Sequence, residues 1–227
     1  MIKRLAIVVP CYNEEEALPD TDKVLNDLMK DLVKREVVKS NSFIIYVNDG
    51  SKDKTWDVIK NAYENSEYVH GLNLAGNKGH QNALLAGLMQ VKDEVDVTIS
   101  IDADLQDDVG VIEEMIEKYY SGCDIVYGVR NDRTSDSGFK KFTAEAFYKL
   151  MNYMGAKTVY NSADFRLMSN RALDELSLYS ETHLFLRGLA PELGFKTDCV
   201  YYKRSPRLKG ESKYPLKKML SFAFNGV

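Results

Sequence analysis

The chain has 227 residues, of which 44% are hydrophobic and 28% charged, and a formal net charge of −4; this suits one large globular core and excludes a disordered or fibrous protein. Three scattered cysteines, Cys11, Cys123 and Cys199, exclude a disulfide framework and a cysteine-built zinc centre, and point to a reducing compartment. No stretch approaches the ~18 apolar residues of a membrane span, and Met1-Ile-Lys-Arg4 leads into a strand instead of a signal peptide.

Residues 4 to 9 read as a first buried strand, followed by the loop Pro10-Cys-Tyr-Asn-Glu-Glu15. Asn13 is placed to cap a helix running from about Glu14 to Arg35, with Pro19 near its start. A second strand, Phe43-Ile-Ile-Tyr-Val47, runs into Asn48-Asp-Gly-Ser51, where Asp-Gly supplies a turn and Ser51 or Asp53 caps the next helix. A third strand near Tyr68 to Leu74 leads to Gly76-Asn-Lys-Gly79 and a helix of small residues, Ala83 to Met89. Glycines and a lysine before a helix start can hold a phosphate through backbone N–H groups, although this is neither a Walker loop nor a dinucleotide fingerprint.

Val95-Asp-Val-Thr-Ile-Ser-Ile101 is a fourth buried strand, and Asp102 and Asp104 stand at its carboxyl end. Ligands bind at that end in open α/β sheets. An extended chain would put both carboxylates on one side, roughly 6.6 Å apart at their α-carbons. Spacing alone leaves two readings open. One carboxylate contacts a divalent ion directly and the other through water or a sugar hydroxyl, or the stretch is a solvated acidic loop capping the helix near Val109. Asp107 and Asp108 are expected to be that cap.

Asp124-Ile-Val-Tyr-Gly128 is a fifth strand, and strands alternating with helices up to about residue 130 predict a parallel sheet with helices on both faces. A helix over about 139–153, a short strand over Ala163 to Met168, a helix capped by Asn170 and ending near Leu178, and a helical piece from His183 follow. Cys199-Val-Tyr-Tyr202 reads as an antiparallel edge strand. Between Lys196 and Lys218 eight basic residues face two acidic ones, a net +6 against −10 for the rest, so an anionic partner is expected there. Residues 215–227 have the pattern of a basic amphipathic helix, which could lie in a membrane interface or pack on its own domain.

The ordered series Pro10-Cys-Tyr-Asn-Glu14, Val47-Asn-Asp-Gly-Ser51, Asn77-Lys-Gly79, Asp102-Ala-Asp-Leu-Gln106, Gly128-Val-Arg130, Ala163-Asp-Phe-Arg-Leu-Met168 and Lys209-Gly-Glu-Ser-Lys-Tyr-Pro215 resembles the family 2 glycosyltransferases. It is most similar to their polyprenyl-phosphate branch, the bactoprenol glucosyltransferases and dolichol-phosphate mannose synthases. The resemblance implies a nucleotide-diphospho-sugar transferase fold of type A (GT-A, Rossmann-like), with a catalytic domain over 1–205 and a basic juxtamembrane segment over 206–227. Relatives usually continue into membrane helices, so a catalytic domain cut before them is expected, anchored in the full-length protein at the cytoplasmic face of the cell membrane.

The activity so implied is inverting transfer of a sugar, with UDP-glucose or a similar UDP-sugar preferred, to a polyprenyl phosphate for cell-envelope synthesis. The alternative is a soluble or saccharide acceptor. By the same resemblance Mg²⁺ or Mn²⁺ would be held by Asp104 and Gln106, with Asp102 near the metal or ribose. Pro10, Tyr12, Glu14, Asp49, Lys78 and Gly79 would bind the nucleotide sugar, with Asp49 accepting from the base. Arg130, Arg133, Arg166, Arg204, Arg207 and Lys213 would clamp the acceptor phosphate, and Asp164 would be a base or a sugar-binding residue. An anionic membrane surface would meet residues 203–227; nucleic acid is not an expected partner, and self-association is left open. Where many relatives have two prolines this chain has Asp108-Val109, and His80 is expected to be a surface histidine without a role.

Overall fold

A computed structural model describes residues 1–131, 159, 161–179 and 186–206. The expected helix over 139–153, the amphipathic segment 215–227 and the boundary at 206 lie outside or at the limit of the described residues. Four β-α units and a fifth strand come first. They are β1 (Leu5–Cys11), α1 (Leu18–Lys34), β2 (Phe43–Asn48), α2 (Thr55–Asn65), β3 (Val69–Asn73), α3 (His80–Val91), β4 (Val97–Ser100), a 3-10 turn at Val109–Val111 leading into α4 (Ile112–Tyr120), and β5 (Ile125–Arg130). Then come β6 (Ser162–Ser169), α5 (Asn170–Leu176), α6 (Leu186–Glu192) and β7 (Thr197–Tyr202).

The strands form one sheet in the order β3-β2-β1-β4-β6-β5-β7. Every neighbouring pair is parallel except the two that involve β6. β1 is buried along its whole length, and β2 and β4 likewise; this explains why β1 and β2 read as near-continuous apolar runs instead of alternating ones, while β4 buries Thr98 and Ser100 as well. One face carries Leu25, Met29 and Leu32 of α1, Ile59 of α2 and Met115 of α4 packed on Leu5, Ile7 and Ile99. The other carries Leu84 and Leu88 of α3, Leu173 of α5 and Leu186 of α6 packed on Ala6, Val8 and Val47. α3 lies close to the sheet because Gly87 has no side chain: a Cβ there would come within 2.5 Å of Val8 Cγ1 and 2.7 Å of Val47 Cγ2.

The direction of β7 differs from the antiparallel edge expected from sequence: it runs parallel to β5, with Thr197 opposite Ile125 and Tyr202 opposite Arg130. The cause is α6. Its first residue, Leu186, lies beside Arg166 near the carboxyl edge of the sheet, and the helix returns the chain to the opposite edge, from which β7 must start. The reversed strand is β6. Its register places Arg166 opposite Ser100, the last residue of β4, so Asp164, two residues earlier, stands level with residue 102. A residue late in the sequence thereby joins the edge where the parallel strands end. Among the described residues no helix is long and apolar enough to cross a membrane.

Candidate functional site

Three loops leave the carboxyl edge of the sheet and fasten one another. The Asn13 N–H donates to Ser51 Oγ at 2.9 Å, and Asn13 Oδ1 accepts from the Lys52 N–H at 2.8 Å. Glu14 N–H donates to Thr55 Oγ1 at 2.8 Å, and the Glu15 carboxylate accepts from the Lys54 N–H at 2.9 Å. Asn13 adopts φ 51°, tolerable for an asparagine, and α1 starts at Leu18 with Ala17 before it. Asn13 is thus a loop clasp and not the helix cap expected of it. The expectation for the second loop was closer, since Asp53 Oδ1 accepts from the Thr55 N–H at the start of α2.

Asp49 is buried and fixes the third loop: Oδ1 accepts from Lys78 N–H at 2.6 Å and Oδ2 from Gly79 N–H at 3.0 Å. Gly50 makes this approach possible. Its φ is +62°, and a Cβ would meet the backbone of Gly76 and Asn77 at 2.5 Å. The loops that carry Pro10, Tyr12, Glu14, Asp49, Lys78 and Gly79 are therefore joined to one another by hydrogen bonds. Asp49 already serves two backbone donors there.

The acidic motif does not continue β4. The strand ends at Ser100 and the chain turns through residues 103–105, with Leu105 in the left-handed region at φ 52°. A leucine held there costs about 1 kcal/mol or more and persists only because its surroundings impose it. The turn brings the Asp104 carboxylate onto the Gln106 N–H at 3.1 Å. Arg204 donates to the Gln106 side-chain oxygen, and the Ser205 N–H donates to the Gln106 carbonyl at 2.9 Å. A residue expected to hold metal and one expected to hold the acceptor phosphate are thus in contact.

Asp107 and Asp108, expected together as the helix cap, have separate fates. Asp108 Oδ1 accepts from the Gly110 N–H and is the cap. Asp107 is buried; its Oδ1 accepts from Arg130 Nη2 at 2.9 Å and from the Tyr202 hydroxyl at 2.6 Å, while Oδ2 is buried with no partner among the described residues. Asp107 thus ties the acidic turn to the ends of β5 and β7. Arg130, expected to clamp the acceptor phosphate, is half of this pair.

Asp164 accepts from several side chains at once. Arg166 Nη2 donates to Oδ1 at 2.9 Å, and Arg187 forks across the carboxylate, Nε to Oδ1 at 3.0 Å and Nη2 to Oδ2 at 2.9 Å. Gln81 Nε2 donates to Oδ2 at 2.9 Å, and His80 Nε2 lies 3.2 Å from the same oxygen. Burial would raise the Asp164 pKa, but the Arg187 charge and the His80 contact hold it well below the usual carboxylate range. Arg166 is only 3% exposed, and its remaining contact is Nη1 to the Leu186 carbonyl at 2.7 Å; burial lowers its pKa.

His80 is not a roleless surface residue. Its Nε2 lies between Asp164 and Asp102, 3.5 Å from Asp102 Oδ1. Burial lowers its pKa, yet the Asp164 hydrogen bond and the Asp102 charge outweigh this and push it up to about 9. Asp102 itself is raised, by burial first and by Asp107, Asp164 and Asp104, against the lowering effect of His80. Sequence reasoning missed Arg187 as well. The one signal available was a lone arginine in the apolar run Leu184-Phe-Leu-Arg-Gly188; the partner that explains it is 23 residues away. Arg133, Arg207 and Lys213 lie outside the described residues.

Among the described residues no three His, Cys, Asp or Glu side chains form a ready cage for a metal. The donors present nevertheless fit Mg²⁺ or Mn²⁺. They are hard oxygens, Asp102 is raised by burial first and by the neighbouring carboxylates after it, and such ions are commonly held by one or two carboxylates plus substrate phosphate oxygens.

Residues 6–177 match the family model for glycosyl transferase family 2. A Bacillus subtilis (strain 168) protein described as uncharacterized glycosyltransferase YkoT is 53% identical over 223 residues, 98% of this chain and 66% of its own. The prophage bactoprenol glucosyl transferase homolog of Escherichia coli (strain K12) is 38% identical over 99% of this chain and 71% of its own. The chain spans about two thirds of the length of such relatives. Mannosyl-3-phosphoglycerate synthase from Rubrobacter xylanophilus superimposes with a TM-score of 0.64 at 15% identity, over 99% of this chain and 71% of that one. Glucosyl-3-phosphoglycerate synthase from Mycobacterium tuberculosis, in complex with Mn²⁺, UDP and phosphoglyceric acid, gives 0.60 at 13% identity, over 98% and 75%. With a family match across most of its length and a mixed seven-stranded sheet of the GT-A kind, this chain belongs to glycosyl transferase family 2.

Proposed function

We propose that this protein is an inverting glycosyltransferase that moves a sugar from a UDP-sugar, UDP-glucose first among them, to a polyprenyl phosphate at the cytoplasmic face of a membrane. The observation that carries this is the division of the site: Asp102, in the carboxylate-rich turn, lies 3.5 Å from His80, which with Arg166 and Arg187 is gathered on Asp164. The relatives named bactoprenol glucosyl transferase, among them one from Shigella phage SfV at 38% identity over 99% of this chain, support the lipid acceptor.

In this reading the fastened loops around Tyr12, Asp49 and Lys78 hold the nucleoside and the sugar. Asp104 and Gln106, with Asp102 behind them, would hold Mg²⁺ or Mn²⁺. That ion would offset the charge that grows on the departing diphosphate. The acceptor needs no strong base, because a phosphate monoester has its second pKa near ~6 and is largely dianionic at neutral pH. What the chain must supply is a fixed line of approach to the anomeric carbon. Attack from that side inverts the centre and gives a β-linked product from an α-linked donor. The basic segment from Lys203 onward would meet an anionic membrane surface.

Thermal unfolding with a panel of nucleotide sugars tests the donor assignment. With Mn²⁺ and saturating UDP-glucose the midpoint should rise by roughly 5–10 °C, since a ligand at ~100 times its Kd adds about 2.7 kcal/mol. If no UDP- or GDP-sugar moves the midpoint, the donor assignment is wrong.

A further inference from the structure

The acidic turn is fastened from more than one side, and one fastening comes from a helix that carries none of the residues so far assigned to the site. Thr21, one turn into α1, is 1% exposed. Its hydroxyl donates to the Ala103 carbonyl at 2.7 Å, while the Ala17 carbonyl lies 3.1 Å from the same oxygen. A hydroxyl has one proton to give, and a threonine inside a helix often turns it back to the carbonyl four residues earlier. Here the shorter contact, at the ordinary length for O–H···O, goes across to the turn, 82 residues away in sequence.

Ala103 is itself buried and stands between Asp102 and Asp104. On the far side of Asp104 the turn is held at Gln106 by the Ser205 N–H and at Asp107 by Arg130 and Tyr202. Asp104 and Leu105 lie between these holds, and Leu105 is the residue at φ 52°. Such a conformation persists only where its flanks impose it, and Thr21 is the hold on the amino side. The same helix reaches the other half of the site. The N–H groups of Ala17 and Leu18 donate to the Glu14 carbonyl at 3.1 and 2.9 Å, and the Asn13 and Glu14 N–H groups are bonded to Ser51 and Thr55. One helix thus joins the loop expected to meet the nucleotide to the turn expected to meet the ion.

We propose that Thr21 is a positioning residue that sets the Asp104 carboxylate for a divalent ion, acting through the Ala103 carbonyl. This rests on the metal assignment put forward above. Thr21→Val keeps the shape of the side chain and takes away the donor, so the buried Ala103 carbonyl loses this bond and the turn relaxes to recover one elsewhere. Asp104, the next residue, moves with it. A carboxylate held in place beforehand binds its ion without having to be ordered first, and removing the support of a ligand residue commonly weakens metal binding by about 10-fold to 100-fold.

The test uses the full chain as wild type and as T21V, T21S and Y46F. Y46F is the comparison: it removes a buried hydroxyl that bonds Asp22 of the same helix at 3.0 Å, a partner outside the turn. The first readout is calorimetric binding of Mn²⁺ in the presence of UDP and without acceptor. The second is amide hydrogen exchange over residues 101–108 in chelator, which needs no ion. T21V should raise the Mn²⁺ Kd by roughly 10-fold and speed exchange over 101–108. T21S, which keeps the hydroxyl, should stay close to wild type in both, and Y46F should lower the unfolding midpoint while leaving both unchanged. A T21V protein with unchanged Kd and exchange would overturn the proposal. So would a Y46F that raises the Kd as much as T21V does, since general loosening of α1 would then suffice, or a T21S that behaves like T21V. If T21V does not fold, T21A is measured in its place and read in the same way. A wild type that binds Mn²⁺ with UDP but transfers no glucose to undecaprenyl phosphate would count against the proposed reaction and not against this role, which the two readouts still decide.

Discussion

Asp104→Ala is expected to lower sugar transfer by at least ~10³-fold while leaving the fold intact. The carboxylate stands at the head of the turn, half-buried, and accepts from the Gln106 backbone N–H, so its removal disturbs local contacts of the turn and not the packing of the core. Its proposed part is to hold the ion that meets the diphosphate charge in the transition state. Losing a single preorganised electrostatic contact of that kind costs ~10²–10³ in rate, and losing the ion with it costs more. Rates measured over a Mn²⁺ series, beside thermal unfolding of the same samples, check this. A variant that transfers at a tenth of the wild-type rate or better, with or without chelator, would contradict the metal assignment.

Asp164→Asn should have the largest effect on stability. The change keeps the shape and removes the charge, leaving buried Arg166 and half-exposed Arg187 without their counter-ion; breaking a buried pair in this way costs about 3–5 kcal/mol. The pH dependence, measured by urea unfolding in chelator, identifies the cause. The Asp164 pKa is depressed in the folded state, so its contribution is present above the unfolded value of ~3.9 and fades as pH falls below it. The part that acts through His80 has the opposite sign. With its folded pKa raised to about 9, that stabilisation is complete below the unfolded value of ~6.5 and is lost as pH rises through about 9. The gap between wild type and variant should therefore be widest near pH 5–6 and narrow on both sides. A gap independent of pH would mean that packing, not charge, is what Asp164 contributes.

The repeating strand and helix units were legible because a strand buried on both faces must be largely apolar, as β1 and β2 are. The polar stretches that follow those strands marked the site edge for the same reason: they come where burial ends. The direction of β7 was not legible, because it depends on where α6 begins, and the contact that sets this joins Arg166 to the Leu186 carbonyl. Asp107 and Asp108 show a second limit. Both suit a helix entry, and only the fold shows that one side chain turns inward to Arg130 and Tyr202 while the other takes Gly110. His80 shows a third. Its partners Asp102 and Asp164 are brought to it by β4 and by the reversed strand β6, 84 residues away in the second case, and no local pattern around His80 encodes either.

The most direct test of the account is to follow the label. Purified protein, UDP-glucose carrying labelled glucose, undecaprenyl phosphate and Mn²⁺ should give labelled product that extracts with the lipid, carries a β linkage, and appears one for one with UDP. Label that stays in the aqueous phase, or passes to a saccharide while undecaprenyl phosphate is left unchanged, would contradict the assignment.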